Sequence, residues 1–195
     1  MAKQQPIVIV IGGPNGAGKS TIAPTVLDEY LDVDDFVNAD AIARGLSAFN
    51  PEHVAFEAGR IMLAELKRLA AARKSFAFES TLASRSFAPW IERLRKDCGY
   101  HFVLVYVWVK SPELAVNRVV SRVRSGGHLV PEDVIRRRWQ RSLDNLFKLY
   151  MPLADRWRVF NNGDVGPEIV AEGGRGRELT AGDPVLWSVM QERRS

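Results

Sequence analysis

Residues 7–21 read IVIVIGGPNGAGKST, an apolar run that passes directly into a glycine-rich turn. The run from Ile7 to Ile11 is continuous and β-branched, which predicts a strand buried on both faces of a sheet. The turn from Gly13 to Ser20 matches the pattern G-x-x-x-x-G-K-[ST] without departure, and a helix is predicted to follow it. A strand, this turn and a helix in that order predict a phosphate-binding loop.

The residue types of this loop suit a nucleoside triphosphate. Glycines let the backbone wrap closely and direct its N–H groups at phosphate oxygens, and the helix that follows adds the positive end of its dipole. We expect Lys19 to bind the β- and γ-phosphates of ATP and the Ser20 hydroxyl to ligate Mg²⁺. The predicted ATP-binding residues are Gly13, Pro14, Asn15, Gly16, Ala17, Gly18, Lys19, Ser20 and Thr21.

Strand and helix signals alternate along the rest of the chain. Further strands are predicted around residues 36–38, 76–78, 102–109 and 158–160, with helical patterns between them. Alternation of this kind implies a parallel sheet whose two faces are covered by helices. We therefore predict an α/β fold, the three-layer sandwich of P-loop NTPases, with a mainly parallel sheet and a helical lid.

The expected organisation is a single domain over residues 1–195. We place a lid at about residues 111–140, where two predicted helices flank the turn Gly126-Gly127-His128, and a C-terminal hairpin or tail at about residues 163–195. Asn161-Asn162-Gly163 is predicted to be a turn that ends the last strand before this segment.

Composition excludes several classes of protein. A chain of 195 residues with 46% hydrophobic and 26% charged residues has the balance of a globular protein and not of a disordered one. The single Cys98 excludes an internal disulfide, and the run Ile7 to Ile11 is too short for a signal peptide or a membrane span. We expect a cytoplasmic protein with no membrane partner.

Arginines are concentrated in the predicted lid. The stretch from residue 118 to residue 141 contains Arg118, Arg122, Arg124, Arg136, Arg137, Arg138 and Arg141 against the two acids Glu132 and Asp133. A solvated basic face is the ordinary explanation of such a cluster, but cationic side chains that close over phosphates are also what phosphoryl transfer needs. Arg118 and Arg122 lie four apart on one helix face, and we expect one or two of Arg136 to Arg138 to enter the site.

Two polar segments are predicted to follow strands at the edge where open α/β sheets bind ligands. Asp40 follows the second strand, where its carboxylate would either accept a proton from a substrate hydroxyl or cap the next helix. Glu79-Ser80-Thr81 follows the third strand and would hold a polar acceptor, position a metal-bound water or cap a helix. Spacing alone leaves these alternatives open.

The chain resembles the zeta-toxin-like family of P-loop kinases, with the likeness running in order from about residue 7 to residue 161. The matching stretches are Gly13 to Thr21, Phe36-Val37-Asn38-Ala39-Asp40, Phe78-Glu79-Ser80-Thr81-Leu82, and Arg118 to Pro131 with its Gly-Gly-His-x-Val-Pro core. The resemblance implies ATP-dependent phosphorylation of a hydroxyl on a sugar nucleotide such as UDP-N-acetylglucosamine. An antitoxin protein is a further partner that it implies.

The resemblance also implies roles for individual residues. Asp40 is similar to the general base of the family, Lys19 to its phosphate-binding lysine, and Arg118 to its charge-stabilising arginine. Glu79 and Thr81 are similar to its acceptor contacts. The chain departs from the family in being shorter than the typical toxin and in carrying His128 where a second arginine is expected. Arg122 or an arginine of the next helix is expected to substitute, so the expected catalytic residues are Lys19, Asp40, Arg118 and Arg122.

Two other classes of function compete with a kinase. An ABC-type or repair ATPase shares the wording of the loop, although such a domain needs a Leu-Ser-Gly-Gly signature and Ser125-Gly126-Gly127 is the nearest approach to one. A non-catalytic, nucleotide-gated module would bind RNA or DNA through the arginines. We do not expect a nucleic-acid partner, because Trp139 is the only aromatic residue within the arginine cluster.

Overall fold

The computed structural model describes residues 5–29, 33–47, 53–124, 129–163 and 166–194. Within these residues the strands form one seven-stranded sheet. The strands are β1 (Ile7–Gly12), β2 (Asp35–Val37), β3 (Phe76–Ser80), β4 (His101–Trp108), β5 (Arg156–Asn162), β6 (Pro167–Gly174) and β7 (Arg177–Ala181). Their order across the sheet is β2-β3-β1-β4-β5-β6-β7.

The first five strands are parallel, and only β6 and β7 run antiparallel to their neighbours. Helices connect the parallel strands, as such connections require. The helices in chain order are α1 (Lys19–Leu27), α2 (Ala39–Leu46), α3 (Ala55–Ala71), α4 (Phe87–Cys98), α5 (Pro112–Arg124), α6 (Glu132–Asn145), a π-helical turn (Leu146–Tyr150), α7 (Met151–Leu153) and α8 (Pro184–Glu192), of which α8 follows the last strand. The predicted α/β fold with a mainly parallel sheet is confirmed.

The core lies on both faces of the central strands. Residues 8–11 of β1 are fully buried, and so is nearly all of β4. β-Branched and aromatic side chains pack well on a pleated surface and gain free energy by leaving water on either face. The continuous apolar runs predict strands that are buried on both faces of a parallel sheet, and β1 and β4 are buried in this way.

The strand register brings the candidate site residues to one edge of the sheet. Gly12, the last residue of β1, lies level with Ser80 at the end of β3 and with Tyr106 near the end of β4. Val37 ends β2 beside Phe78 of β3. The carboxyl ends of β1, β2 and β3 meet at this edge. The residues that follow β2 and β3 therefore lie beside the glycine-rich loop, which follows β1.

Two predicted boundaries differ from the structure. Asn161 and Asn162 belong to β5, not to a turn, because their backbones pair with β4 or β6. Glu79 and Ser80 likewise belong to β3.

The predicted lid turn Gly126-Gly127-His128 lies outside the described residues. Among those that are described, no helix combines the length and the apolarity that crossing a membrane requires.

Candidate active site

A cleft of about 460 Å³ opens at the carboxyl ends of β1, β2 and β3. It brings together predicted site residues from four separate parts of the chain. Those that line it are Asn15, Gly16, Gly18, Lys19, Ser20, Thr21, Asp40, Glu79, Thr81, Arg118 and Arg122. Gly13, Pro14 and Ala17 do not line it and belong to the buried side of the loop. Lys19, two acids and two of the predicted arginines thus share one space.

The loop packs closely against α5. Gly16 has a φ of +76°, and a Cβ atom there would lie 2.4 Å from the carbonyl oxygen of Ala115. A residue with a side chain would therefore be both strained and sterically blocked at this position. The consequence is that the helix carrying Arg118 and Arg122 rests directly on the phosphate-binding loop.

Lys19 lies at the first position of α1 and folds back over its own loop. Its Nζ donates a hydrogen bond of 3.0 Å to the carbonyl oxygen of Pro14. Burial lowers the pKa of Lys19, while the negative charges of Glu79 and Asp40 act in the opposite direction. The lysine therefore lies among the acidic side chains of the cleft, where a phosphate would supply the further negative charge that favours its ammonium form.

The structure excludes one of the two interpretations of Asp40, namely that it caps α2. Asn38 is the N-cap of α2, and its Oδ1 accepts hydrogen bonds from the backbone N–H groups of Asp40, at 2.8 Å, and Ala41, at 3.1 Å. Capping of α2 is thus provided by Asn38 and not by Asp40. The Asp40 side chain is exposed and borders the cleft, within electrostatic reach of Lys19 and Arg138.

Glu79 presents a buried oxygen that lacks a hydrogen-bond partner. Its Oε1 is inaccessible to solvent and has no hydrogen-bond partner among the described residues. Burial raises the pKa of Glu79, against the opposing effects of the Lys19 charge and of hydrogen bonds from the side chains of Ser20 and Asn38. An unpaired carboxylate oxygen in a polar cleft costs free energy unless a ligand, a metal-bound water or a proton satisfies it.

The helix-cap interpretation of Glu79-Ser80-Thr81 is wrong. The Ser80 hydroxyl accepts a hydrogen bond of 3.1 Å from Leu82 N, and that of Thr81 accepts one of 3.4 Å from Ala83 N. These are local turn contacts, because α4 begins only at Phe87. Ser80 and Thr81 both line the cleft beside Glu79.

Only one of the three consecutive arginines of α6 reaches the cleft. Arg138 lines it, and its Nη1 donates a hydrogen bond of 3.3 Å to Asn15 Oδ1 in the loop. Arg136 instead pairs with Glu113 and Glu132. Arg137 lies 3.8 Å from Asp133 on the exposed face. Successive helical residues turn by about 100°, so one face carries only one of the three.

Arg118 is held in the cleft by two backbone carbonyl groups. Its Nη1 donates to the carbonyl oxygen of Asn162 at 2.8 Å, and its Nη2 donates to that of Gly163 at 3.3 Å. Arg122 lies one turn further along α5 and is close enough to Lys19 to lower the pKa of the lysine. The cleft therefore carries arginines from α5 and α6 together with Asp40 and Glu79.

Sequence reasoning assigned no site role to several residues that line the cleft, namely Asn38, Ala39, Val130 and Asn162. It also left Arg138 unresolved among its neighbours. The burial of Ile135 and Trp139 on α6 disfavours only Arg137, since Arg136 and Arg138 lie at equal angles on either side of this buried pair. No sequence signal favours Asn162 as a site residue. Its place at the cleft depends on β5 extending through Asn162, whereas the sequence predicts that this strand ends before it.

The fold is similar to that of a chain in the AvrRxo1-ORF1:-ORF2 complex crystallised with ATP, with a TM-score of 0.76 and 17% identity. The likeness covers 98% of this chain and 65% of that chain, so this protein spans just under two thirds of its length. A chain of the PezAT toxin–antitoxin system of Streptococcus pneumoniae gives a TM-score of 0.69 at 19% identity, covering 100% of this chain and 80% of that one. These similarities concern the fold, which is that of P-loop NTPases.

Sequence comparison identifies the family. A relative from Haemophilus influenzae, described as an uncharacterized protein, is 31% identical over 129 residues, which is 65% of this chain and 88% of the relative. The family model described as zeta toxin matches residues 1–166. This match covers most of the chain and includes the glycine-rich loop, Asp40, Glu79 and the arginines of α5 and α6. The protein therefore belongs to the zeta toxin family.

Proposed function

We propose that this protein is an ATP-dependent kinase that transfers the γ-phosphoryl group to a hydroxyl of a small molecule. One observation carries the proposal, namely that Asp40 shares a single cleft with Lys19, Arg118, Arg122 and Arg138 beside the glycine-rich loop. Binding of a nucleotide by itself does not need a carboxylate in the same cleft as the loop. A phosphotransferase needs one to receive the proton of the attacking hydroxyl.

The loop is the proposed site for the triphosphate of ATP. Its pattern, its position between β1 and α1, and the lysine at the start of that helix all suit phosphate oxygens. The structural neighbour crystallised with ATP has the same fold, which supports ATP as the nucleotide here. Lys19, buried among acidic groups, would place its charge on the terminal phosphates.

Asp40 is the proposed general base. In the transfer step the acceptor oxygen forms a bond to the γ-phosphorus, the bond from that phosphorus to the bridging oxygen breaks, and the acceptor proton passes to the Asp40 carboxylate. ADP leaves with the bridging oxygen. The exposed position of Asp40 at the cleft suits contact with an incoming hydroxyl, because its carboxylate is not used for helix capping.

Arg118, Arg122 and Arg138 are the proposed charge stabilisers. Negative charge spreads over the phosphoryl oxygens during transfer, and preorganised cations lower the free energy of that state. The carbonyl contacts of Arg118 and the Asn15 contact of Arg138 hold these two guanidinium groups beside the loop. Arg138 is our candidate for the second arginine that the family resemblance leads us to expect where His128 stands.

The donor set fits Mg²⁺ bound together with nucleotide phosphates. Ser20 and Glu79 offer a hydroxyl and a carboxylate, both oxygen ligands of the kind that Mg²⁺ prefers. The described residues contain no group of three or more His, Cys, Asp or Glu side chains that would hold a metal alone. Phosphates and water would complete the shell, and the ion would supply positive charge that neutralises the phosphates.

The proposed acceptor class is a sugar nucleotide such as UDP-N-acetylglucosamine, on the strength of the family resemblance. Glu79 and Thr81 are the proposed acceptor contacts. The unpaired Glu79 Oε1 would accept a hydrogen bond from an acceptor hydroxyl or from a water of Mg²⁺. We also propose an antitoxin partner, which is supported by the likeness to a chain of the PezAT toxin–antitoxin system.

Mass spectrometry tests the function directly. The protein is mixed with ATP, Mg²⁺ and UDP-N-acetylglucosamine, and separately with a metabolite extract, and products heavier by one phosphoryl group are sought. Lys19→Ala is the inactive control. A phosphorylated product from the extract but not from the sugar nucleotide would overturn the proposed acceptor class and support the proposed kinase activity. Rapid ATP hydrolysis without any phosphorylated product would favour an ATPase, and binding without turnover would favour a nucleotide-gated module.

A further inference from the structure

Asn162 joins two parts of the candidate site that no sequence motif connects. It is the last residue of β5 and lines the cleft, 145 positions after Ala17 and 44 after Arg118. It makes one contact with its side chain and another with its backbone, in different directions. Neither the glycine-rich pattern nor the arginine cluster includes it.

The side chain of Asn162 holds the glycine-rich loop. Its Nδ2 donates a hydrogen bond of 2.8 Å to the carbonyl oxygen of Ala17, a fully buried residue. A Cβ atom on Gly18 would lie 2.1 Å from the same Nδ2, so the amide occupies the space that the glycine leaves open. The C=O and N–H of a trans peptide point in opposite directions. Anchoring Ala17 O to Asn162 therefore turns the next N–H, that of Gly18, to the other side.

The backbone of Asn162 holds Arg118. Its carbonyl oxygen accepts from Arg118 Nη1 at 2.8 Å, and the carbonyl oxygen of Gly163 accepts from Nη2 at 3.3 Å. A guanidinium group has five N–H donors, so two contacts leave others to meet phosphate oxygens. The direction of the Arg118 side chain across the cleft is thus set by the end of β5.

We propose that Asn162 is a positioning residue that couples the phosphate-binding loop to Arg118. Its side chain fixes the loop, and its backbone carbonyl fixes Arg118. The loop N–H groups that would bind the phosphates and the guanidinium group that would stabilise the transferred charge therefore keep a constant position relative to each other. The proposal rests on the proposed kinase function, since it assigns Asn162 an effect on ATP binding and turnover.

Asn162→Ala removes the amide and leaves the Ala17 carbonyl without that donor. Because one hydrogen bond is lost, we expect AMP-PNP to bind the variant about 3- to 10-fold more weakly than the parent protein. Calorimetry in the presence of Mg²⁺ measures this affinity. Asn162→Asp keeps the side-chain shape and replaces the donor by an oxygen that repels Ala17 O, so we expect at least as large a loss. Asn161→Ala is the matched control, because Asn161 lies next to it on β5 but lines a separate cleft beside α8. The control should bind AMP-PNP as the parent protein does.

Steady-state ATP hydrolysis separates positioning from damage to the fold. A smaller folded fraction lowers the apparent kcat and leaves the KM for ATP unchanged, whereas displacement of the loop raises that KM in fully folded protein. We expect a higher KM in both Asn162 variants. A double-mutant cycle with Arg118→Ala should show that the two substitutions are not additive in kcat/KM, because they disturb one linked unit.

The failures of the two proposals are distinguishable. Parent protein that does not bind AMP-PNP would contradict the proposed function. Parent protein that binds it, with Asn162→Ala and Asn162→Asp binding equally well, would overturn the positioning role alone. Unchanged KM values, or strict additivity with Arg118→Ala, would overturn it as well.

Discussion

Asn38 accepts a 2.8 Å hydrogen bond from the backbone N–H of Asp40, so the helix cap and the carboxylate beside the cleft are two different side chains. Both residues follow β2, and either type of side chain is able to cap a helix. Because the amide of Asn38 caps α2, the Asp40 carboxylate is not used for capping and is available for the proposed role of general base. This division of roles underlies the first two predictions.

Asp40→Asn should slow phosphorylation strongly and preserve nucleotide binding. The variant keeps the size of the side chain and the cap of α2, and it loses only the proton acceptor. General base catalysis contributes on the order of 10²–10⁴-fold, so we expect at least a 100-fold slower transfer. Calorimetry with AMP-PNP and a product assay measure the two effects. A loss of nucleotide affinity as large as that of Lys19→Ala would contradict the assignment.

Asn38→Ala should destabilise the fold. It removes the acceptor for the N–H groups of Asp40 and Ala41, which costs about 0.5–2 kcal/mol of unfolding free energy. Denaturant unfolding followed by circular dichroism measures this loss. Asn38→Asp retains a capping oxygen and should recover most of the stability of α2. Equal stability of the alanine variant and the parent would show that the cap is unimportant.

Arg138→Ala should slow phosphoryl transfer, while Arg137→Ala should leave it unchanged. The two residues are adjacent on α6, but only Arg138 lines the cleft and contacts Asn15. Arg137 lies on the exposed face near Asp133, where an ion pair contributes little. Removal of one preorganised donor to a transition state costs about 10²–10³-fold in kcat. Equal effects of both substitutions would mean that the arginines act through overall charge.

Glu79→Gln should change how stability depends on pH. Burial raises the pKa of Glu79 above its ordinary value of 4.5, so the folded protein binds this proton more tightly than the unfolded chain does. The resulting stabilisation is fully present below pH 4.5 and is lost as the pH rises through the folded-state pKa. Glutamine does not titrate, so the stability of the variant relative to the parent should increase over that range. Unfolding free energies measured from pH 4 to pH 8 provide the test, and a relative decrease would mean that the pKa is lowered.

The outcome for individual residues shows where sequence reasoning succeeds. The loop from Gly13 to Ser20 was recognised because its chemistry needs glycines and a lysine at fixed local spacing. The order of strands and helices followed from hydrophobic periodicity, which is also local. In contrast, the last strand was predicted to end at Phe160, because Asn161 and Asn162 have the composition of a turn. Pairing with neighbouring strands extended it through Asn162.

The amino-acid sequence by itself determined the phosphate-binding loop, the α/β class and the family, since each is recorded in local patterns: one contiguous loop, the alternation of strand and helix signals, and four short stretches. Only the tertiary structure decided that Asn38 caps α2, that Arg138 and not Arg136 or Arg137 faces the loop, and that Asn162 contacts Ala17. The physical reason is distance along the chain. Asn15 and Arg138 are 123 positions apart, and the packing of α6 and β5 around the loop brings such partners within hydrogen-bonding reach.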